Sequence, residues 1–151
     1  MTNASGLRVL SIALGVFLIF MGLDKVGWLM DSSPLVMRLQ EWRESAQPMV
    51  RWYLDTIAIP GAPVFARLVL VGELAAGAAL LCGFKVRWAA TVSLLMVLNF
   101  HFASDVLFHY SYLTNAYGPP VLGGLLALAI GGGTRLPFSL SNAPRPRQRP
   151  T

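Results

Sequence analysis

The chain has 151 residues, of which 55% are hydrophobic and only 13% charged, with a mean hydropathy of +0.58. A soluble domain carries about 25% charged residues because its surface faces water, so a water-soluble globule is excluded. The net charge of +5 does not read as a nucleic-acid surface: the basic residues flank apolar runs or gather near the C-terminal end, where cytoplasmic loops and lipid head-group contacts place them.

In chain order, the first apolar run is Gly6–Leu23. At about 1.5 Å per residue it is ~27 Å long as a helix, close to the ~30 Å hydrocarbon core. Arg8 suits the start of a signal peptide, but Asp24-Lys25-Val26-Gly27-Trp28 follows the run in place of a small-x-small cleavage site. The run therefore reads as a retained span over about 6–28. Asp31-Ser32-Ser33-Pro34 then resembles a helix start with proline in the first turn. Residues 31–60 read as an extracytoplasmic segment, a pair of short helices lying on the membrane surface, broken near Pro48 and ending before Pro60-Gly61. Trp42, Trp52 and Tyr53 suit the membrane–water boundary, where amphipathic rings settle.

A second span is expected over 63–83 and a third over 88–108, joined by Phe84-Lys85-Val86-Arg87. So short a link makes them antiparallel neighbours. The fourth span, 117–133, places Pro119 and Pro120 in its first turn. Residues 1–141 thus form one membrane domain, and the Pro- and Arg-bearing residues 142–151 read as a disordered basic cytoplasmic tail. The single Cys82 excludes an intrachain disulfide and reads as a small apolar side chain.

With an even number of spans, the N-terminus, the 84–87 turn and the tail share one side. That side holds Arg8, Lys85, Arg87, Arg135, Arg145, Arg147 and Arg149 and no acidic residue, which makes it cytoplasmic by the positive-inside rule. The expected fold is all-α: a four-transmembrane-helix bundle with both termini in the cytoplasm and short interfacial helices between helices 1 and 2. Small residues at four-residue spacing, Gly123/Ala127/Gly131, Gly72/Ala76 and Ala75/Ala79, suit close helix contact in lipid.

Glu73 is the most informative side chain. It lies about ten residues, roughly 15 Å, into the second span, where an ionised carboxylate is costly and ordinarily faces a partner in the bundle interior. Lys25, at the outer end of span one, or a residue of span three is better placed than Arg67, which is off Glu73's face of the same helix. The pair can be a structural pin, a functional site or both. Span three offers His101, Asp105 and His109 at four-residue spacing, with Asn99 nearby. On one helix Asp105 can orient either imidazole. Three readings stay open for this set: polar residues at the interface, a metal site short of ligands, and a pocket for a quinone head group or proton relay. The quinone pocket is drawn from Lys25, Glu73, Asn99, His101 and Asp105, with Glu73 and His101 as catalytic candidates. No metal and no covalent cofactor are expected. No Walker loop, HExxH or dinucleotide-binding glycine pattern is present, so electron transfer would rest on a diffusible quinone or a partner's cofactor.

Several short motifs recur in one order. Leu7-Arg8, Leu14-Gly15, Phe17 and Gly22-Leu23-Asp24-Lys25 lie in span one; Leu70-Val71-Gly72-Glu73, Gly77 and Cys82-Gly83 lie in span two. Arg87 and Ala89, then His101, then Gly131-Gly132-Gly133 before Leu136-Pro137-Phe138-Ser139-Leu140 complete the series. Over roughly residues 7–141 this order resembles the DoxX family, which includes the DoxD-type small subunits of thiosulfate:quinone oxidoreductase. Ala103-Ser104-Asp105, Pro119-Pro120 and the long 31–60 segment depart from the family pattern and alter the outer face. The resemblance implies a four-helix protein of a bacterial inner membrane, acting with a membrane or periplasmic protein partner. Its role would be as a subunit or partner of a quinone-linked oxidoreductase in sulfur oxidation or oxidative-stress defence. The alternative is a non-catalytic scaffold or assembly factor.

Overall fold

Why the chain folds as helices follows from its runs of Leu, Val, Ala and Phe: in lipid, every backbone N–H and C=O must be satisfied within the protein. The computed structural model describes residues 3–115, 117–133 and 136–140, and among these it is helical with no strand. Its helices are α1 (Asn3–Asp24), α2 (Ser33–Ser45), α3 (Pro48–Tyr53), α4 (Ile59–Cys82), α5 (Val86–Ala103) and α6 (Pro119–Gly131). Three helical runs, Ala4–Asp24, Pro48–Cys82 and Val86–Ala103, are long and apolar enough to cross a membrane, and Pro119–Gly131 is a shorter apolar helix of ~20 Å. The tail expected over 142–151 lies outside the described residues.

Two boundaries differ from the sequence expectation. The expected break before Pro60-Gly61 is absent, and α3 runs on through a π-turn at Leu54–Ala58 into α4. A proline ring clashes with the carbonyl four residues back. For Pro60 that residue is Thr56, inside the widened π-turn, so the helix continues. Span three ends earlier than expected, at Ala103, because Asp105 is left-handed at φ 59°. The residues 106–108 and 110–114 form separate 3₁₀ turns. His101 and His109 therefore do not share a helix.

The bundle core gathers Leu14 and Leu18 of α1, Leu80 of α4, Ala90 of α5, and Leu125 and Leu128 of α6. A second core sits at the other end, where Leu35 and Leu39 of α2 and Val50 and Leu54 pack with Ala58, Ala62, Ala66 and Ala103. The 31–58 segment is thus folded onto the ends of α4 and α5 rather than merely lying on the membrane. Asp31 opens it: its carboxylate accepts the Ser33 N–H at 2.8 Å, and the Ser33 hydroxyl and N–H hold that carboxyl below its usual range. Arg43 of α2 pairs with Asp55, both exposed, and such pairs add little stability.

The tightest helix contact is α1 against α4. A Cβ on Gly77 would lie 3.0 Å from the Gly15 carbonyl oxygen and 3.0 Å from the Ile19 nitrogen; one on Gly15 would meet the Leu81 nitrogen at 2.9 Å. These are backbone atoms and cannot give way. Of the stripe expected at Gly123, Ala127 and Gly131, Gly131 packs against Leu7 of α1, whereas Gly123 faces open space and neighbouring Gly124 takes the contact with Leu14. Cys82, also expected among apolar neighbours, is exposed.

At the end of α4 the buried Arg8 guanidinium donates to the carbonyls of Leu80 at 3.0 Å, Leu81 at 2.7 Å and Phe138 at 3.0 Å. Ser11 adds a 2.7 Å bond to the Leu80 carbonyl. The last carbonyls of a helix lack intrahelical donors and carry partial negative charge, so a cation there satisfies both needs. Arg8 is therefore a helix cap.

Gly77→Val is expected to destabilise the protein by on the order of 1–3 kcal/mol through overpacking. Gly72→Ala, whose new Cβ meets only the flexible Met96 thioether, is expected to stay within about 1 kcal/mol of the wild type. Melting temperatures in detergent check the contrast.

Candidate functional site

Where α1 gives way to a 3₁₀ turn at Val26–Leu29, Lys25 turns inward and is buried. Its ammonium lies 2.9 Å from Glu73 Oε2 and 3.1 Å from Oε1, and donates to the Met21 carbonyl at 2.8 Å. Each side chain of the pair is only 10% exposed. Three acceptors thus meet the three N–H donors of one ammonium, and both carboxylate oxygens face that cation. Arg67, the other basic residue of this region, donates to the Pro63 carbonyl on its own helix. Exposed Asp24 lies close enough to Glu73 to act on its charge.

Beside the pair is a cavity of about 320 Å³. Phe17, Leu18, Met21, Val97, Phe100 and Val121 form its apolar wall. Its polar lining comes from Lys25, Glu73, His101, Ser104, Tyr117 and, from the α2 roof, Arg38 and Trp42. This volume stands at the lower end of the ~300–1,000 Å³ common for small-ligand sites. Trp42 meets Phe100 edge-on at 6.3 Å, and Tyr117 stacks on Phe17 at 5.9 Å, so the aromatic part of the wall is held in place.

The His101 ring packs edge-on against Tyr112 at 5.3 Å, with Nδ1 3.1 Å from the Tyr112 hydroxyl. Burial pushes the Tyr112 phenol up from its usual value, so it keeps its proton at neutral pH and can donate. With Tyr112 donating to Nδ1, a neutral imidazole carries its own proton on Nε2. His101 then offers a donor to a ligand's oxygen.

The sequence-derived set is divided by the structure. Lys25, Glu73 and His101 come together around one cavity. Asn99 lies outside its lining: Oδ1 accepts the Tyr53 hydroxyl at 2.6 Å, on the side of α5 facing α3. Asp105 is also elsewhere and does not orient His101. Its Oδ2 accepts the Gln47 N–H at 3.1 Å, closing the start of α3, and stands 3.7 Å from His109 Nε2. The physical reason is the left-handed turn at Asp105, which breaks the helical register that would have stacked it on His101. Its buried Oδ1 has no hydrogen-bond partner among the described residues. No cluster of three metal-ligating side chains occurs among them.

Arg38, Trp42, Tyr112 and Tyr117 were not singled out from sequence as site residues. Arg38 and Trp42 carried a usable signal: they stand four apart, on one face of α2, beside the buried Leu35 and Leu39 that hold it down. Tyr112 lies between the third and fourth expected spans and Tyr117 at the very start of the fourth, and neither position carries such a signal.

Lys25→Met or Glu73→Gln alone leaves one charged partner buried without its counterion or weakly paired, and Lys25→Met is expected to cost about 3–5 kcal/mol. The apolar double variant Lys25→Met/Glu73→Leu should be less destabilised than Lys25→Met. A double-mutant cycle on melting free energies measures this coupling.

No curated protein and no solved structure matches the chain significantly. The sequence model of DoxX matches residues 6–109, a stretch that runs from the first turn of α1 through α5 and contains the buried Lys25–Glu73 pair and His101. These apolar helices and that match make the chain a membrane protein belonging to the DoxX family.

Proposed function

We propose that the protein is a subunit or partner of a quinone-linked membrane oxidoreductase, holding a quinone head group in the cavity beside Lys25 and Glu73. The observation that carries this reading is the composition of that cavity: an apolar wall suited to a lipid-soluble ring and tail, and hydrogen-bond donors at one end suited to a carbonyl oxygen. A bound quinone supplies the redox chemistry. The chain's own residues bind and orient it: His101 donates from Nε2, Tyr112 fixes that tautomer, and the Lys25–Glu73 pair holds α1 against α4 so that the wall keeps its shape. On this reading the protein sits in a bacterial inner membrane with its termini in the cytoplasm, as the basic residues at Arg8, Lys85 and Arg87 favour. The cavity then opens toward the outer leaflet.

A scaffold or assembly role is favoured by a different observation. The segments outside the long helices leave Met30, Met37, Tyr110 and Leu113 exposed, and exposed apolar side chains there suit a protein partner or the membrane boundary.

Extraction and mass spectrometry of whatever accompanies the protein after purification in mild detergent distinguishes the two. A quinone is expected with the wild type, and about tenfold less with His101→Ala or Glu73→Gln when these retain wild-type gel-filtration profiles. A protein partner in both samples, with no quinone in either, would sink the oxidoreductase reading and favour the scaffold.

A further inference from the structure

Most polar groups lining the cavity are already committed to the protein. The Lys25 ammonium has three acceptors, and both Glu73 oxygens are turned to it. Ser104 donates to the His101 carbonyl, and His101 Nδ1 is held by Tyr112. Arg38 differs. Its charged partner is Glu41, at 3.7 Å on the same helix, and both side chains are well exposed, at 63% and 70%. Such a pair is weak and exchanges readily. The guanidinium presents five donors and no acceptor. It is kept at the cavity by the burial of its neighbours Leu35 and Leu39 against α4, with Trp42 one turn farther along the same face.

The charge count leads to the same residue. Lys25 and Glu73 neutralise one another, exposed Asp24 lies near the pair without lining the cavity, and among the described residues Arg38 is the one further formally charged side chain in the lining. A ligand head entering under α2 therefore meets an exposed cation at the rim of the cavity, and a charge-assisted hydrogen bond to an anionic oxygen is stronger than one to a neutral oxygen. We propose that Arg38 makes this cavity selective for amphiphiles whose head group bears an anionic oxygen. The proposal rests on the cavity being a ligand site, and it narrows the ligand class beyond a neutral quinone.

The test uses the full chain in detergent and reads affinity from the shift in melting temperature with ligand concentration. Three probes are compared: an undecyl-substituted hydroxynaphthoquinone, whose ring hydroxyl is ionised at neutral pH; its neutral O-methyl ether; and dodecanoate. The hydroxynaphthoquinone is expected to bind about five- to tenfold more tightly than its ether, as one partly exposed charge pair allows. Arg38→Gln should lower the affinity for the hydroxynaphthoquinone more than that for the ether, so that the two bind alike, with the ligand-free melting temperature unchanged, and Arg38→Lys should retain much of the difference. Equal binding of the two naphthoquinones, unmoved by Arg38→Gln, overturns the role of Arg38 and leaves the quinone reading standing. Arg38-dependent binding of dodecanoate alone supports anion selectivity and removes the quinone. No binding by any probe overturns both.

Discussion

The ammonium of Lys25 and the carboxylate of Glu73 meet where neither could remain charged and alone. A buried ion loses its hydration, and in this pair the compensation comes from geometry: three short bonds to one ammonium and both carboxylate oxygens turned to the cation. That requirement sets where α1 ends relative to α4. It holds the two helices in the register at which Gly15 and Gly77 touch backbone to backbone. At the other end of the same helix pair, Arg8 is tied to the final carbonyls of α4 and to Phe138. Two buried cations, one facing a carboxylate and one bonded to helix carbonyls, thus stand at the two ends of one interface.

The cavity is a consequence of this arrangement and of the segment that follows. With α1 held to α4, the apolar side chains of α1, α5 and α6 leave a gap beside the ion pair. The 31–58 segment roofs it by burying Leu35, Leu39, Val50 and Leu54 in a core of its own. The roof carries Arg38 and Trp42 into the lining. The charges that hold the helices, on Lys25 and Glu73, and the loosely paired charge of Arg38 therefore belong to different residues around one cavity. Glu73 drew attention as the intramembrane acid, yet its oxygens are committed to Lys25, and the less guarded guanidinium belongs to the roof.

Membership of the DoxX family accounts for the helices and for the motifs around Gly72-Glu73 and Lys25, but a shared fold does not specify a reaction. The cavity itself offers apolar walls, hydrogen-bond donors and an imidazole whose Nδ1 stands beside a phenol. A segment with exposed methionines and aromatics lies next to that cavity. Cavity and exposed segment share an element, since a contact that shifted α2 would also move Arg38 and Trp42.

The sequence alone determined the membrane class, the all-helical architecture, the apolar helices and the presence of a buried Glu73 with Lys25 among its best-placed partners. These follow from local composition and from the cost of an unpaired charge in lipid, which admits few solutions. It also placed Pro119 and Pro120 in a first turn, because proline's missing N–H is harmless there. Only the tertiary structure decided that Pro60 interrupts nothing, since a π-turn five residues long is invisible to periodicity. It separated Asp105 and His109 from His101, because one left-handed residue ends a register that spacing would have continued. It likewise turned Asn99 toward Tyr53, brought Arg38 and Trp42 over the cavity, and made Arg8 a helix cap. Each of these depends on contacts between residues far apart in the chain, and such contacts are set by how the helices pack rather than by any local pattern.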